Sequence, residues 1–446
     1  MPSSSRFPRA RLLPLLLLAV AGCTDEATAP TEPVPPATPP RAARDSVALF
    51  QGAAARVPAT ANDSGAAGFR LRIVGTGAPA HGSVTVEGDT LLHYLPAAGF
   101  VGRDSVRYRV AYVDAVPASA DSAVVRFDVR PGPYRAQLLP SGGERWPDVV
   151  ALAPNGDAVG SVVVDGAFVP VVWRQGGAPV RLPGVRRGQA IAINARGAIL
   201  GWVEPAGGGC SRPVLWASAE AAPVTLESPG DDPCHHFPRA LGDDGTVVAL
   251  DAIWRNGAWT RQFGSPGPGG NSLGYAYDLG PNGSVLFQSV ESYSTTWVWR
   301  DGTFTPIPGL GGRYVRGQVM NARGEVAGYA ERHPGQANSA RLFLWRDGRT
   351  TPIEGDYGIV DRVVDLNTAG DILFEEYTTL PGTFIRGPNV PWIVVQGQPF
   401  PLQPLLEDQG LRLMRVGALT DAGTIAASAL RPATGDTVAV LLRRTP

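Results

Sequence analysis

From residue 146 to the C-terminus, short apolar runs alternate with polar turns at a recurring period. The clearest unit is residues 188–202, GQAIAINARGAILGW, followed closely by Arg212-Pro-Val-Leu-Trp216. Apolar runs of five to eight residues, bounded by Gly and Asn or Asp, predict β-strands joined by tight turns. One unit gives a strand, a Gly-bearing turn, a second strand, a loop and a third strand ending in Trp. Most copies turn again at Gly and add a short fourth strand. A four-stranded antiparallel sheet of this kind cannot bury both faces alone, so the copies must stack.

The turn glycine recurs at Gly156, Gly197, Gly245, Gly283, Gly324, Gly370 and Gly423, about 38–53 residues apart, the period of propeller blades. Asn155, Asn194, Asp244, Asn282, Asn321, Asn367 and Asp421 precede these glycines, and such residues tolerate the positive φ of a tight hairpin. The third strand ends in Trp173, Trp216, Trp254, Trp299 and Trp345. A Trp repeated once per sheet reads as core between sheets. The expected architecture is all-β, with a seven-bladed β-propeller of four-stranded blades spanning 131–446. The last copy supplies only three strands, and Tyr134-Arg-Ala-Gln-Leu-Leu139 has the character of the missing fourth. It is expected to close blade seven and hide an edge.

The frame is similar to the extracellular HAF repeat family, roughly A-x-A-I-N-x-x-G-x-x-x-G followed by an apolar strand and W-x-x-G. Residues 190–201 and 318–328 fit it best, while Arg212-Pro-Val-Leu-Trp216 and Arg341-Leu-Phe-Leu-Trp345 stand in place of the His-Ala-Phe signature. That resemblance implies a β-propeller-like extracellular protein and carries no established reaction.

Upstream, residues 45–130 alternate at period two. In Asp104–Val110, Val106, Tyr108 and Val110 face one way, and Ser105, Arg107 and Arg109 the other. Several such short strands predict an Ig-like β-sandwich. Ala61-Asn62-Asp63-Ser64, His81-Gly82-Ser83-Val84 and the run from Phe100 to Val110 resemble the bacterial cadherin-like/Ig-like tandem-repeat family, whose members are spacer or adhesion modules. Some related domains bind calcium through clustered carboxylates. Asn62, Asp63 and Asp104 are too scattered in the sequence to mark such a site.

Residues 24–44 carry six prolines and no aromatic residue, the composition of an extended linker. Before them, Arg6, Arg9 and Arg11 precede a short apolar stretch ending in Val20-Ala21-Gly22-Cys23. The stretch is too short to span a bilayer as a helix and reads as an export signal. Its end resembles the bacterial lipobox, which implies cleavage before Cys23 and acylation there. By that resemblance residues 1–23 are expected to be a lipoprotein signal peptide, with the membrane a partner through the N-terminal lipid. The expected location is the bacterial cell envelope, periplasmic or surface-exposed. With Cys23 lipidated, Cys210 and Cys234 are the remaining thiols, and an oxidising compartment favours a disulfide between them.

Composition narrows the partners. The net charge is −1, all 39 basic residues are Arg, and no basic cluster argues for nucleic acid. No cofactor or metal motif and no catalytic set is marked. Gly270-Asn-Ser272-Leu-Gly274 matches a hydrolase pattern but lacks the strand–turn–helix setting that the mechanism requires. His235 and His236, beside Asp231 and Asp232, would point to opposite faces of a strand, and Glu375-Glu376 meets the same objection. The variable connections 204–211, 228–236, 264–274, 291–296, 331–340 and 375–390 should all emerge at one face around the channel mouth. Variable loops on a rigid scaffold are where recognition sits. The candidate contacts there are Asp231, His235, His236, Tyr293, His333, Glu375, Tyr377 and Arg386. The expected role is a surface-anchored, monomeric binding module for a protein or glycan partner, on an Ig-like stalk. An extracellular polymer-acting lyase or hydrolase is the alternative.

Overall fold

The computed structural model describes residues 38–113, 119–205, 207, 209–227, 237–249, 252–260, 273–289, 295–336, 339–355, 357–379, 386–406 and 409–445. Cys23, the linker up to residue 37, Asp231, Cys234, His235, His236 and Tyr293 lie outside them.

The N-terminal unit is a two-sheet sandwich. Strands Asp45–Phe50, Ala120–Arg130, Gly102–Tyr112 and Leu71–Thr76 form one sheet in that spatial order; Ala55–Val57, Leu91–Pro96 and Gly82–Glu87 form the other. The first strand runs parallel to Ala120–Arg130. Period-two alternation puts Val106, Tyr108 and Val110 fully inside, with Leu92, Val125 and Phe127. Tyr94 stacks on Phe127 with centroids 3.8 Å apart. Asp104 points inward and accepts from the amides of Ala80 and His81 and from the Tyr94 hydroxyl. Burial opposes its charge, but bonds from the amides of His81, Ser105 and Ala80 outweigh it and lower its pKa.

Seven four-stranded antiparallel sheets follow. The first strand of each packs against the first strand of the next, and Arg412–Leu419 against Arg145–Leu152 completes the circle. These are the inner strands of a closed propeller. Blade seven consists of Arg412–Leu419, Ile425–Arg431, Asp436–Arg444 and the distant Tyr134–Leu138. Tyr134–Leu138 pairs antiparallel with Asp436–Arg444, from Leu138 opposite Val440 to Tyr134 opposite Arg444. Leu139 and Thr445 donate further backbone bonds across the junction.

All seven repeating glycines have positive φ, between 72° and 91°. The residues before them do not, apart from Asn282, so the positive-φ reason for those Asn and Asp residues is corrected. Asn194, Asn321 and Asn367 are buried at the first turn position and bond the turn instead. The Asn367 carbonyl oxygen accepts from Asp371 N, and its amide donates to Thr420 O of the next blade. Asn321 donates in the same way to Asn367 O, and Asn194 to Gly242 O. Asn155, Asp244, Asn282 and Asp421 occupy later positions of their turns. Positive φ on a non-glycine belongs mainly to the outer turns: Gln175, Asn256, Asp301, Asp347 and Gln396 each precede a glycine there.

The Trp positions divide. Trp173 and Trp216 are fully buried, and each donates its indole N–H to a backbone oxygen, of Pro140 and Pro183 respectively. Trp254, Trp299 and Trp345 are half-buried.

The two units share a packed boundary. Phe50 of the sandwich meets Phe400 of blade six at 5.2 Å between centroids, and Ala53 joins the blade six–seven core with Leu402 and Leu406. A Cβ on Gly52 would lie 2.5 Å from Pro404 Cγ.

Candidate functional site

Every inner strand has a register shift at the same place, three residues before the turn: at Val150, Ile191, Arg239, Tyr277, Gln318, Val364 and Gly417. A bulge leaves its extra residue unpaired and bends the strand. Beyond it, towards the start of the strand, lies a register position eight residues before each turn glycine. Around the ring it holds Asp148, Gln189, Phe237, Tyr275, Arg316, Arg362 and Arg415. Arg316 pairs with Tyr329, Arg362 with Glu375 and Arg415 with Ser428, each five residues past its turn glycine. Three guanidinium groups therefore stand at one level on three successive blades.

Each is held differently. Arg316 donates to the Tyr329 hydroxyl and lies about 6 Å from the ring centres of Tyr314 and Tyr329. Arg362 donates to Glu375 at 3.1 Å and reaches Val416 O of blade seven. Arg415 pairs with Asp148 of blade one at 2.7 Å, and Asp148 also accepts from Ser428. The side chain of Arg362 is 39% exposed and that of Glu375 4%; for Arg415 and Asp148 the values are 41% and 22%. In each pair the carboxylate is the more buried partner and the guanidinium the more exposed one.

Between blades six and seven a cleft of about 690 Å³ opens, lined by Arg362, Arg412 and Arg415, with Asn389, Leu413 and Met414 among its other walls. Gln403 forms its outer edge and is tied to Leu411 and Leu413 by two bonds. Gln403 belongs to the connection that also carries Pro404 and Leu405, which the sandwich contacts. The cleft thus sits beside the boundary between the two units.

The residues singled out from the loops fare unevenly. His333 is exposed in the 331–340 connection, with its backbone bonded to Ser339. The span 375–390 is not a loop over most of its length. Strands Ile372–Thr379 and Arg386–Val395 extend the hairpin, with Tyr377 opposite Asn389 and Thr379 opposite Arg386. Glu375, Glu376, Tyr377 and Arg386 are therefore strand residues. Glu375 is buried, held by Arg362, Asn389 and Val416 N. Glu376 is also buried and accepts from Gly358 N on the other face. Tyr377 is half-buried. Cys210 lies half-buried just before the third strand of blade two. Leu273 opens a strand, so no helix follows the Gly-x-Ser-x-Gly stretch. Among the described residues no three His, Cys, Asp or Glu side chains are grouped to hold a metal.

The inner-strand arginines lie outside the variable connections. Their signal is nonetheless periodic: an arginine eight residues before Gly324, Gly370 and Gly423.

Residues 37–127 match the bacterial Ig domain family. The Ig domain points to an extracellular or surface setting, and no helix among the described residues is long and apolar enough to cross a membrane. No curated protein matches the sequence. Among solved structures, the chain is similar to the β-propeller domain of the Trilobed protease from Pyrococcus furiosus, at 10% identity and a TM-score of 0.46, over 67% of this chain and 95% of that one. It is also similar to a protein of unknown function from Bacteroides thetaiotaomicron (10%, 0.37, covering 89% and 95%). TolB from Acinetobacter baumannii is a third (10%, 0.34, covering 72% and 78%). These likenesses concern the fold, and no activity is carried over from them.

Proposed function

We propose that the protein is an envelope-anchored lipoprotein whose propeller binds a partner at the mouth around blades five to seven, beside the Ig domain. The observation that carries this reading is the row of Arg316, Arg362 and Arg415 on rigid inner strands, opening into the blade six–seven cleft. A binding site needs fixed side chains on a stiff frame with unused donors facing solvent. Arginine supplies five donors, and the bonds named above use only one or two in each of these residues. The adjacent carboxylates Glu375 and Glu376 are committed to internal bonds, which favours binding over acid–base chemistry. A screen of the exported full chain against glycans and envelope proteins tests the reading. The expected result is a ligand whose binding disappears when residues 331–340 are shortened and survives changes in the outer turns, such as Asp301–Gly302. Loss with the outer-turn changes alone would place recognition elsewhere.

The HAF-like frame and the lipobox support the same setting. In this proposal Cys23 carries the lipid, and residues 24–37 form the spacer, since residues 38–44 are bonded to the sandwich; Cys210 and Cys234 form a disulfide tying two connections of blade two at one end. In the chain-entropy account such a bridge stabilises by about 3 kcal/mol. Intact-mass analysis of the exported, unreduced protein reads both features. Expected are a lipid-modified N-terminal Cys23 and a mass two hydrogens below the dithiol. An unmodified Cys23 refutes the anchor, and two alkylatable thiols refute the bridge.

A further inference from the structure

We infer that the ligand of this mouth is an acidic polysaccharide, a chain of sugars bearing carboxylates. The inference rests on the binding-module reading and names its ligand class. Three observations carry it. The first is the spacing of positive groups along the mouth: Arg316, Arg362 and Arg415 at one register on consecutive blades, with Arg412 on the rim of the same cleft. The Arg412 side chain is exposed and makes no ion pair or hydrogen bond among the described residues. A guanidinium fork matches a planar carboxylate through two parallel bonds.

The second observation is the compensation beneath those groups. Glu375 lies under Arg362 and Asp148 under Arg415, so the mouth presents separate donor forks with little net field. A densely charged polyphosphate is attracted by net positive potential. Separate forks, two of them paired with a more deeply placed carboxylate, suit a polymer with one weakly charged group per sugar. Arg316 is the exception in its support, being held by tyrosines rather than by a carboxylate.

The third is the aromatic and apolar surface between the forks. Tyr314 and Tyr329 are partly exposed beside Arg316, and Tyr275 is 47% exposed at the same register on blade four. Met414 is 48% exposed in the cleft. Rings with an apolar face and a polar tip match the C–H faces and hydroxyl edges of pyranoses. The rings gather beside Arg316 and the apolar Met414 lies among the forks of the cleft, so sugar faces and carboxylates both find partners along the mouth.

The test uses the full chain and three uronic oligosaccharides of different linkage, built from galacturonate, mannuronate and glucuronate. Calorimetry should show binding of at least one, lost when its carboxylates are methyl-esterified. Arg316→Ala and Arg412→Ala, chosen because neither holds a buried carboxylate, should each weaken binding at least tenfold at an unchanged melting temperature. Tyr314→Ala should weaken binding of the free acids as well, through loss of the ring face rather than of a donor fork. The inference is overturned if none of the three sugars binds, if the esters bind as well as the acids, or if both arginine variants bind as the parent does. Binding of poly-glutamate without any uronic sugar would also overturn it. A different ligand that is lost on shortening 331–340 but indifferent to both arginine variants would leave the binding module standing and remove this inference alone.

Discussion

At the scale of single residues, the polar groups near the channel decide how one blade grips the next. Asn194, Asn321 and Asn367 each close their own turn and donate to the neighbouring blade. A buried amide satisfied in this way could not be replaced by alanine without orphaning the groups it serves. Asp278 does the same with a carboxylate, accepting from Leu279 N in its own strand and Met320 N of blade five. Asp365 repeats the arrangement with Leu366 N and Leu419 N of blade seven. Both keep a water-accessible edge but are otherwise surrounded by protein. Burial pushes Asp278 up to about 7 and Asp365 up to about 6, against the opposing effect of those amides. A carboxyl whose folded pKa is raised holds its proton more tightly in the native state. Its contribution is complete below about pH 4 and is lost as pH rises through about 6 to 7. Urea unfolding should therefore show stability falling between pH 5 and pH 8, with a smaller fall in Asp278→Asn. Equal falls in parent and variant would show that Asp278 does not titrate in this range.

At the scale of elements, the bulge common to all seven inner strands bends each strand before the mouth, and Gly417 shows how tight the packing there is. A Cβ on Gly417 would come within 2.7 Å of Val150 O in blade one. The closing strand matters more. Tyr134–Leu138 covers the last edge of blade seven and buries Tyr134 to 3% exposure. Losing about five backbone bonds and one buried ring removes roughly 8 kcal/mol. Deletion of residues 134–138 should lower the melting temperature by more than about 10 °C. A change within a degree or two by calorimetry would mean that blade seven holds without its fourth strand.

At the scale of the whole molecule, the Ig domain is clamped to the propeller rather than strung from it. Phe50, Ala53 and Gly52 press on Phe400, Leu402 and Pro404, and a Cβ on Gly132 would displace the Leu405 side-chain tip. The Ig domain therefore sits at one edge of the proposed binding mouth. Gly132→Leu should pry the boundary apart. Expected are two melting transitions in place of one and new protease cleavage at 130–133, while retention of a single transition would argue that the clamp contributes little.

The sequence alone determined the number of sheets, their strand order and the tight turns, because these depend on local rules. Period-two apolar runs must bury one face, and a glycine such as Gly197 or Gly370 is needed wherever φ is positive. It also marked the closing strand, since Tyr134–Leu139 has strand character and the last repeat lacks its fourth strand. Other features were legible only in part. The run 375–390 looks like a loop because Pro381, Gly382, Gly387 and Pro388 interrupt it, yet pairing across the hairpin extends the strands to Thr379 and from Arg386. The arginines of the mouth recur at a fixed distance from the turn glycines, but nothing local distinguishes them from solvated strand residues. Only ring closure brings residues some 46 to 53 positions apart to one level around a channel, and puts Asp148 under Arg415, 267 residues away. Local alternation sets which way a side chain points, and the stacking of blades decides what it meets there.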